Sequence, residues 1–291
     1  MITVFTPTYN RAYTLPALYE SLTRQTDGRF EWIVVDDGSE DNTENLVHSF
    51  IQEGLIQIVL LTQSHGGKHR AINRALKIAR GDLFFIVDSD DALPPNAIAV
   101  CHEQYEGIRG DDSFSGICGR KAYFDGNLVG GGKDAFEVLD TPSLAFRYKY
   151  GMKGDMAEVT RTDVLKQYPF PEFDGERFCP EAIVWNRLSL RYKFRYFNKP
   201  VYLCNYLPDG LTAHITEIRR KSPQASMTCY SELKNAPVPV LIKLKAAINF
   251  WRFSFPAQIS FSKKVKMIGF FSLWAFPFGA VLYIIDFFRT A

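Results

Sequence analysis

The sequence predicts an α/β protein: a mainly parallel sheet flanked by helices, followed by a helical tail that associates with membranes. Three observations predict it. Strand-like apolar runs alternate with segments of helical period through the first hundred residues. Three of those runs end in dense polar clusters. The last fifty residues differ in composition from everything before them.

Residues 2–6 form a short apolar run closed by Pro7, and residues 15–22 then carry helical spacing. Residues 31–35 read as a second strand, cut off by Asp36-Asp37-Gly38-Ser39, with a helix from about residue 41 through Leu46, Val47 and Phe50. Residues 56–61 are a third strand and 68–79 a third helix. Residues 83–87 are a fourth strand, ending in Asp88-Ser89-Asp90-Asp91. Strands separated by helices of this length imply crossover connections and a mainly parallel sheet. Beyond residue 110 the pattern loosens. A helix is expected over 180–191, opening on a proline, and two strands over 192–197 and 201–206. Three segments follow: 1–110 and 111–215 as two halves of one domain, and 216–291 as a helical extension.

In the 291-residue chain, 34 Lys and Arg face 32 Asp and Glu, so the net charge is +2, and 46% of residues are hydrophobic. Such a chain folds and lacks the basic excess of a nucleic-acid binder. The near-neutral total hides two parts. From Leu241 onward seven basic residues face one acid, +6, which leaves 27 basic against 31 acidic residues, −4, in the first 240. Five scattered cysteines without metal-type spacing read as reduced thiols. The opening MITVFTPTYN reads as a strand rather than a secretory leader, so a cytoplasmic location is expected.

In sheets of this kind ligands bind beyond the carboxyl ends of the strands, where Pro7-Thr8-Tyr9-Asn10, Asp36-Asp37-Gly38-Ser39 and Asp88-Ser89-Asp90-Asp91 converge. Carboxylates as dense as the last cluster repel one another unless a cation neutralises them. Hard oxygen donors suit Mg²⁺ or Mn²⁺, whose shell substrate phosphates usually complete. A nucleotide diphosphate substrate follows. Asp36 or Asp37 suits a ring N–H of a base or a ribose hydroxyl, or serves as a turn or helix cap. Thr8, Tyr9 and Asn10 are candidates to line a base pocket. Lys68, after Gly66-Gly67, is a candidate to meet a phosphate or the base, or is an exposed helix lysine.

Together Thr6-Pro7-Thr8-Tyr9-Asn10-Arg11, Val34-Val35-Asp36-Asp37-Gly38-Ser39, Gly66-Gly67-Lys68 with Ala71 and Asn73, Ala79-Arg80-Gly81-Asp82 and Asp88-Ser89-Asp90-Asp91 resemble glycosyltransferase family 2, inverting enzymes of GT-A fold. The resemblance covers about the first 110 residues in order and spacing. It implies transfer of a sugar from a nucleotide-sugar to a hydroxyl, with Asp37 binding the base and Asp36 or Lys68 supporting it. It implies that Asp88 and Asp90 form the metal pair, Asp90 being the direct ligand. Pro7, Arg11, Asn73 and Ser89 fall in the donor-binding stretches.

An inverting transfer needs a general base for the acceptor hydroxyl. The family carries a Glu-Asp pair at the start of a downstream helix, and here Glu181 matches its first position while Ala182 replaces the aspartate. Glu181 is the expected base, with Glu176 and Asp174 in reserve. His214 is a further candidate metal ligand, and Trp185, Arg187, Tyr206 and Asp209 are candidates for the acceptor side. The missing aspartate also admits a non-catalytic, nucleotide-sugar-binding scaffold subunit.

In the tail, residues 267–285 carry no formal charge, and 13 of the 42 aromatic residues lie in the last 51 positions. Lys263, Lys264 and Lys266 precede that run, and Asn249-Phe250-Trp251-Arg252-Phe253 precede those. Basic residues among Phe and Trp suit helices lying in the headgroup region of an anionic membrane. A spanning helix or packing within the fold are the other readings. Attachment at the inner face would bring the enzyme to a glycan or lipid-linked acceptor, as in cell-surface polysaccharide synthesis.

Overall fold

A computed structural model describes residues 1–131, 136–205 and 214–290. The chain divides into two compact units, Met1–Pro169 with Arg191–Asn205, and Phe170–Leu190 with Tyr206–Ala291. The stretch bearing Glu181 and Trp185 belongs with the C-terminal helices.

Among the described residues the first unit holds eight strands: β1 (Ile2–Thr8), β2 (Phe30–Asp36), β3 (Ile58–Thr62), β4 (Leu83–Ile86), β5 (Phe114–Ala122), β6 (Val138–Thr141), β7 (Met156–Arg161) and β8 (Lys193–Leu203). Their order across one sheet is β3-β2-β1-β4-β7-β5-β8-β6. The β3-β2-β1-β4 half is parallel throughout; β7 runs antiparallel to both β4 and β5, and β6 antiparallel to β8. Among the described residues its helices are α1 (Leu15–Thr23), α2 (Thr43–Glu53), α3 (Lys68–Ile78), α4 (Ala97–Glu106), α5 (Ser143–Tyr148) and α6 (Thr162–Leu165). All seven residues of β2 are buried, as a central parallel strand covered on both faces requires.

Trp32, fully buried, donates its indole N–H to Thr6 Oγ1 at 2.9 Å, while Tyr19 stacks on Phe50 at 4.0 Å beneath it. At the amino ends of the strands a polar node closes the sheet. Glu31, also buried, accepts from Thr3 Oγ1 at 2.7 Å and from the Arg80 backbone and Nε, both at 2.8 Å. Burial opposes ionisation of Glu31, but those hydrogen bonds and the Arg80 charge hold its pKa below the usual glutamate range.

One sequence expectation fails here. Two strands are expected over 192–197 and 201–206, yet Lys193–Leu203 is the single strand β8, whose exposed Asn198, Lys199 and Pro200 are absorbed by register shifts against β5.

The second unit is helical: α7 (Ala182–Ser189), α8 (Ile215–Lys221), α9 (Pro223–Asn235), α10 (Val240–Ser254), α11 (Phe261–Ile268), a 3₁₀ turn (Phe270–Ala275) and α12 (Phe276–Thr290). Its core gathers Met227, Phe250, Trp251, Ile268 and Ala275. The uncharged run 267–285 is thus not one α-helix: Gly269 (φ +89°) ends α11 and a 3₁₀ turn precedes α12. Phe270–Phe288 is still long and apolar enough by length and composition to cross a membrane.

α12 lies against α10 at Gly279, where a Cβ would fall within 3 Å of Arg252 N and Ile248 O. Arg252 then grips the buried Asp286 through Nε (2.5 Å) and Nη2 (2.6 Å). On its other side α12 exposes Phe278, Val281, Ile285 and Phe288, spaced three or four apart, and Phe271 in the preceding turn is 91% exposed.

Candidate active site

β1 pairs with β2 on one side and β4 on the other, so chain order reverses across it. In open α/β sheets such a switch point opens a crevice beyond the carboxyl ends of the strands. The loops after β1, β2, β3 and β4 surround it.

Thr8 ends β1 opposite Asp36. It is 3% exposed, and its Oγ1 has no hydrogen-bond partner among the described residues. A buried hydroxyl left unsatisfied is costly. Pro7 before it is half-buried, and Tyr9 after it is exposed. Asn10 adopts φ +52°, which asparagine tolerates because its short amide bonds locally. Its Oδ1 accepts from the Glu40 backbone (2.8 Å), and its own N–H donates to Ser39 Oγ (2.8 Å), joining the β1 and β2 loops. Asn10 therefore acts as a clasp between loops.

The two aspartates after β2 differ. Asp36 is buried, and its Oδ1 accepts from Ser39 N (3.0 Å) and Ser39 Oγ (2.5 Å), the turn role that one of the pair was expected to fill. Asp37 accepts four hydrogen bonds. Oδ1 takes Gln63 Nε2 (2.7 Å) and Gly66 N (2.8 Å); Oδ2 takes Gly67 N (2.7 Å) and His65 Nδ1 (2.9 Å). The His65 ring also stacks on Tyr9, with centroids 4.0 Å and planes 17° apart. Gln63 and His65 escaped the sequence reading, although the signal was present. They too follow an apolar strand and precede Gly66-Gly67.

The third cluster is a charge lattice. Lys68, first residue of α3, meets Asp88 Oδ1 at 2.6 Å, and Arg11 Nη2 stands 4.0 Å from Asp90 Oδ2. Tyr202 of β8 accepts from the Asp88 backbone N–H (2.9 Å) and donates to Asp91 Oδ2 (2.7 Å), with Lys121 Nζ 3.9 Å from its ring. Desolvation works to raise the Asp88 pKa, but Lys68, Lys121 and Arg11 more than cancel it and leave the group low. Burial and then the Asp88 charge push Asp90 up, and the same two causes lift Asp91 to about 7. Ser89 is buried between them, and Asn73, on α3, is half-buried. Among the described residues no three His, Cys, Asp or Glu side chains converge into a closed cage. Two mutually repelling carboxylates with hard oxygens fit an open Mg²⁺ or Mn²⁺ site, whose remaining positions substrate oxygens fill.

The other expected residues lie in the second unit or outside the description. Glu181 caps α7 and is half-buried. Glu176 is committed elsewhere: its two oxygens accept from Gln224 N (2.7 Å) and Ala225 N (2.9 Å) in the first turn of α9, and burial raises its pKa. Asp174 is exposed. Arg187 forks onto Glu232 (2.7 and 2.9 Å), so its guanidinium serves the α7–α9 contact. Trp185 meets Phe170 edge-on at 6.5 Å. His214 is exposed at the start of α8. Tyr206 and Asp209 lie outside the described residues.

The profile of glycosyl transferase family 2 matches residues 3–129, the stretch that supplies all four loops. Glycosyltransferase GlyG of Streptococcus pneumoniae serotype 4 is 34% identical over 211 residues, 70% of each chain. The chain belongs to glycosyltransferase family 2. Among solved structures, Staphylococcus aureus TarS 1-349 in complex with UDP-GlcNAc aligns over 97% of this chain and 89% of its own, with TM-score 0.69 and 18% identity. Mannosyltransferase PcManGT of Pyrobaculum calidifontis, in complex with GDP-Man and Mn²⁺, aligns over 97% and 73%, with TM-score 0.56 and 18% identity. At such identities the likeness is one of fold, and it establishes the GT-A architecture of this glycosyltransferase.

Proposed function

We propose that this glycosyltransferase moves a sugar, with inversion, from a nucleoside-diphosphate donor to a hydroxyl of a lipid-linked glycan at the cytoplasmic face of a membrane, in cell-surface polysaccharide synthesis. The observation that carries the donor half is the charge lattice after β4, where Asp88 and Asp90 stand among Lys68, Arg11 and Lys121. Asp88 and Asp90 would hold Mg²⁺ or Mn²⁺, which offsets the charge that collects on the departing diphosphate. Lys68 and Arg11 add positive charge beside the same carboxylates, and Thr8 Oγ1 offers a free hydroxyl at the nucleoside end. Asp36, Asp37 and Tyr9 form the wall that receives the base. The Mn²⁺ and nucleotide-sugar named for the mannosyltransferase support the same reading.

Glu181 is the proposed general base, taking the proton of the acceptor hydroxyl as it attacks the anomeric carbon. Its place at the start of α7 and the commitment of Glu176 to α9 favour it over that reserve. The membrane half rests on the exposed stripe of α12 with Phe271 and on the exposed Lys263 and Lys266 of α11. α12 has 15 residues, and the 3₁₀ turn before it lengthens the apolar run to Phe270–Phe288. The Arg252–Asp286 pair holds it along α10, so lying on the membrane suits it better than crossing.

Incubation with a panel of nucleotide-sugars and Mg²⁺ or Mn²⁺, following nucleoside diphosphate release, tests the reading. Turnover with one donor is expected, and Glu181→Gln should slow it by about 10²- to 10⁴-fold while still binding that donor. A fully active Glu181→Gln removes the base assignment. Tight donor binding without turnover by the unaltered protein favours the scaffold subunit instead.

A further inference from the structure

The His65 imidazole lies flat on the exposed Tyr9 ring and points Nδ1 at Asp37 Oδ2. A carboxylate oxygen only accepts, so Nδ1 carries the hydrogen. A planar heteroaromatic ring thus stacks on a tyrosine while a ring N–H donates to a buried carboxylate. These are the two contacts that a nucleobase bearing a ring N–H, such as uracil or guanine, would make at the same wall. We propose that His65 occupies the nucleobase's place in the ligand-free protein and that donor binding turns it out. The inference rests on the nucleotide-sugar reading above.

The hydrogen-bond pattern of Asp37 supports displacement over simple addition. Its four acceptor positions are full, so an incoming ring N–H must replace a donor. Gly66 and Gly67 donate through the backbone and leave only if the loop before α3 moves. Gln63 and His65 donate through side chains, which leave by rotation about χ angles. Of these two, only His65 also uncovers the Tyr9 face as it leaves. One rotation therefore frees both halves of a base site. Until it leaves, His65 keeps the Asp37 carboxylate paired and the Tyr9 ring covered.

A state that must open before it binds weakens the apparent affinity by the fraction already open. His65→Ala removes the occupant, so its Kd for the preferred nucleoside diphosphate should fall by about two- to tenfold, the range of one hydrogen bond's net worth. The same substitution assigns the His65 ring signal in ¹H–¹³C correlation spectra of the histidines. In the unaltered protein that signal should carry the upfield ring-current shift of a proton over Tyr9 and lose it on addition of the diphosphate. The test uses the full chain with Mg²⁺ and UDP, GDP, CDP and ADP in turn, affinities being read by calorimetry. Binding that leaves the His65 signal unmoved overturns the displacement. So does a His65→Ala protein that binds equally or more weakly. If neither protein binds any of the four, the nucleotide-sugar reading beneath it falls too.

Discussion

The sheet edge of the first unit and the α12 face of the second break the same rule in opposite directions. At the edge, polar groups lie at least partly shielded from water: Thr8 Oγ1 has no partner among the described residues, and Asp88, Asp90 and Asp91 crowd together. On α12, apolar groups are kept in water: Phe278, Val281 and Phe288 stand exposed along one side of the helix, and Phe271 in the turn before it is exposed too. Folding favours neither arrangement. Under the function proposed above, each becomes favourable when a neighbour arrives, a charged nucleotide in one case and a lipid surface in the other. The difference teaches that each unit is incomplete toward a different kind of partner.

Four changes sharpen or break this contrast. The largest effect is expected from Asp286→Ala, which strands Arg252 beside an apolar helix. Unfolding free energy should fall by about 3–5 kcal/mol in denaturant titration; a loss below about 1 kcal/mol would mean that apolar packing alone holds α12. Next, Asp90→Asn should lower sugar transfer by about 10²- to 10³-fold without altering the circular dichroism spectrum. Transfer at the unaltered rate would remove the metal site from the comparison. Third, Phe271→Ser with Phe278→Ser should weaken sedimentation with anionic vesicles by about 10- to 100-fold while leaving the melting temperature in place. Retained binding would make the exposed face something other than a lipid contact.

The smallest effect concerns the far end of the sheet, where polar burial is fully satisfied. Glu31→Gln should cost about 1–2 kcal/mol near neutral pH. The folded-state pKa of Glu31 lies below its unfolded value, so its contribution is present above the usual glutamate range. It is lost as the pH falls below that range through the folded value. Melting curves of both proteins between pH 3 and 7 should converge at the acid end. A gap that stays constant would mean that shape rather than charge holds the node.

Much of the sheet edge was legible because parallel strands announce themselves. From Trp32 to Val35 β2 is apolar, and it stops at Asp36, so strand, turn and candidate ligands share one stretch of sequence. What escaped depends on partners distant in sequence. Arg187 and Glu176 looked available, yet Glu232 and the first turn of α9 claim them from more than forty residues away. β8 looked like two strands because Asn198-Lys199-Pro200 reads as a break, and only pairing with β5 carries it through. His65 lay in plain view after β3, but its meaning comes from the face of Tyr9, which no spacing rule reports. In the tail, composition suggested a surface role, while the break at Gly269 followed from one backbone angle.

Gly279 carries a consequence of another kind. Because its missing side chain lets α12 come down onto the α10 backbone, one hydrogen atom sets the roll of the whole terminal helix. Alanine there would meet Trp251 Cβ and the main chain of Ile248 and Arg252 rather than the far end of a side chain able to step aside, and α12 would have to lift or rotate. The stripe from Phe278 to Phe288 would then aim elsewhere, with none of its own residues changed. The bearing of that greasy surface is thus written at a position that touches no lipid.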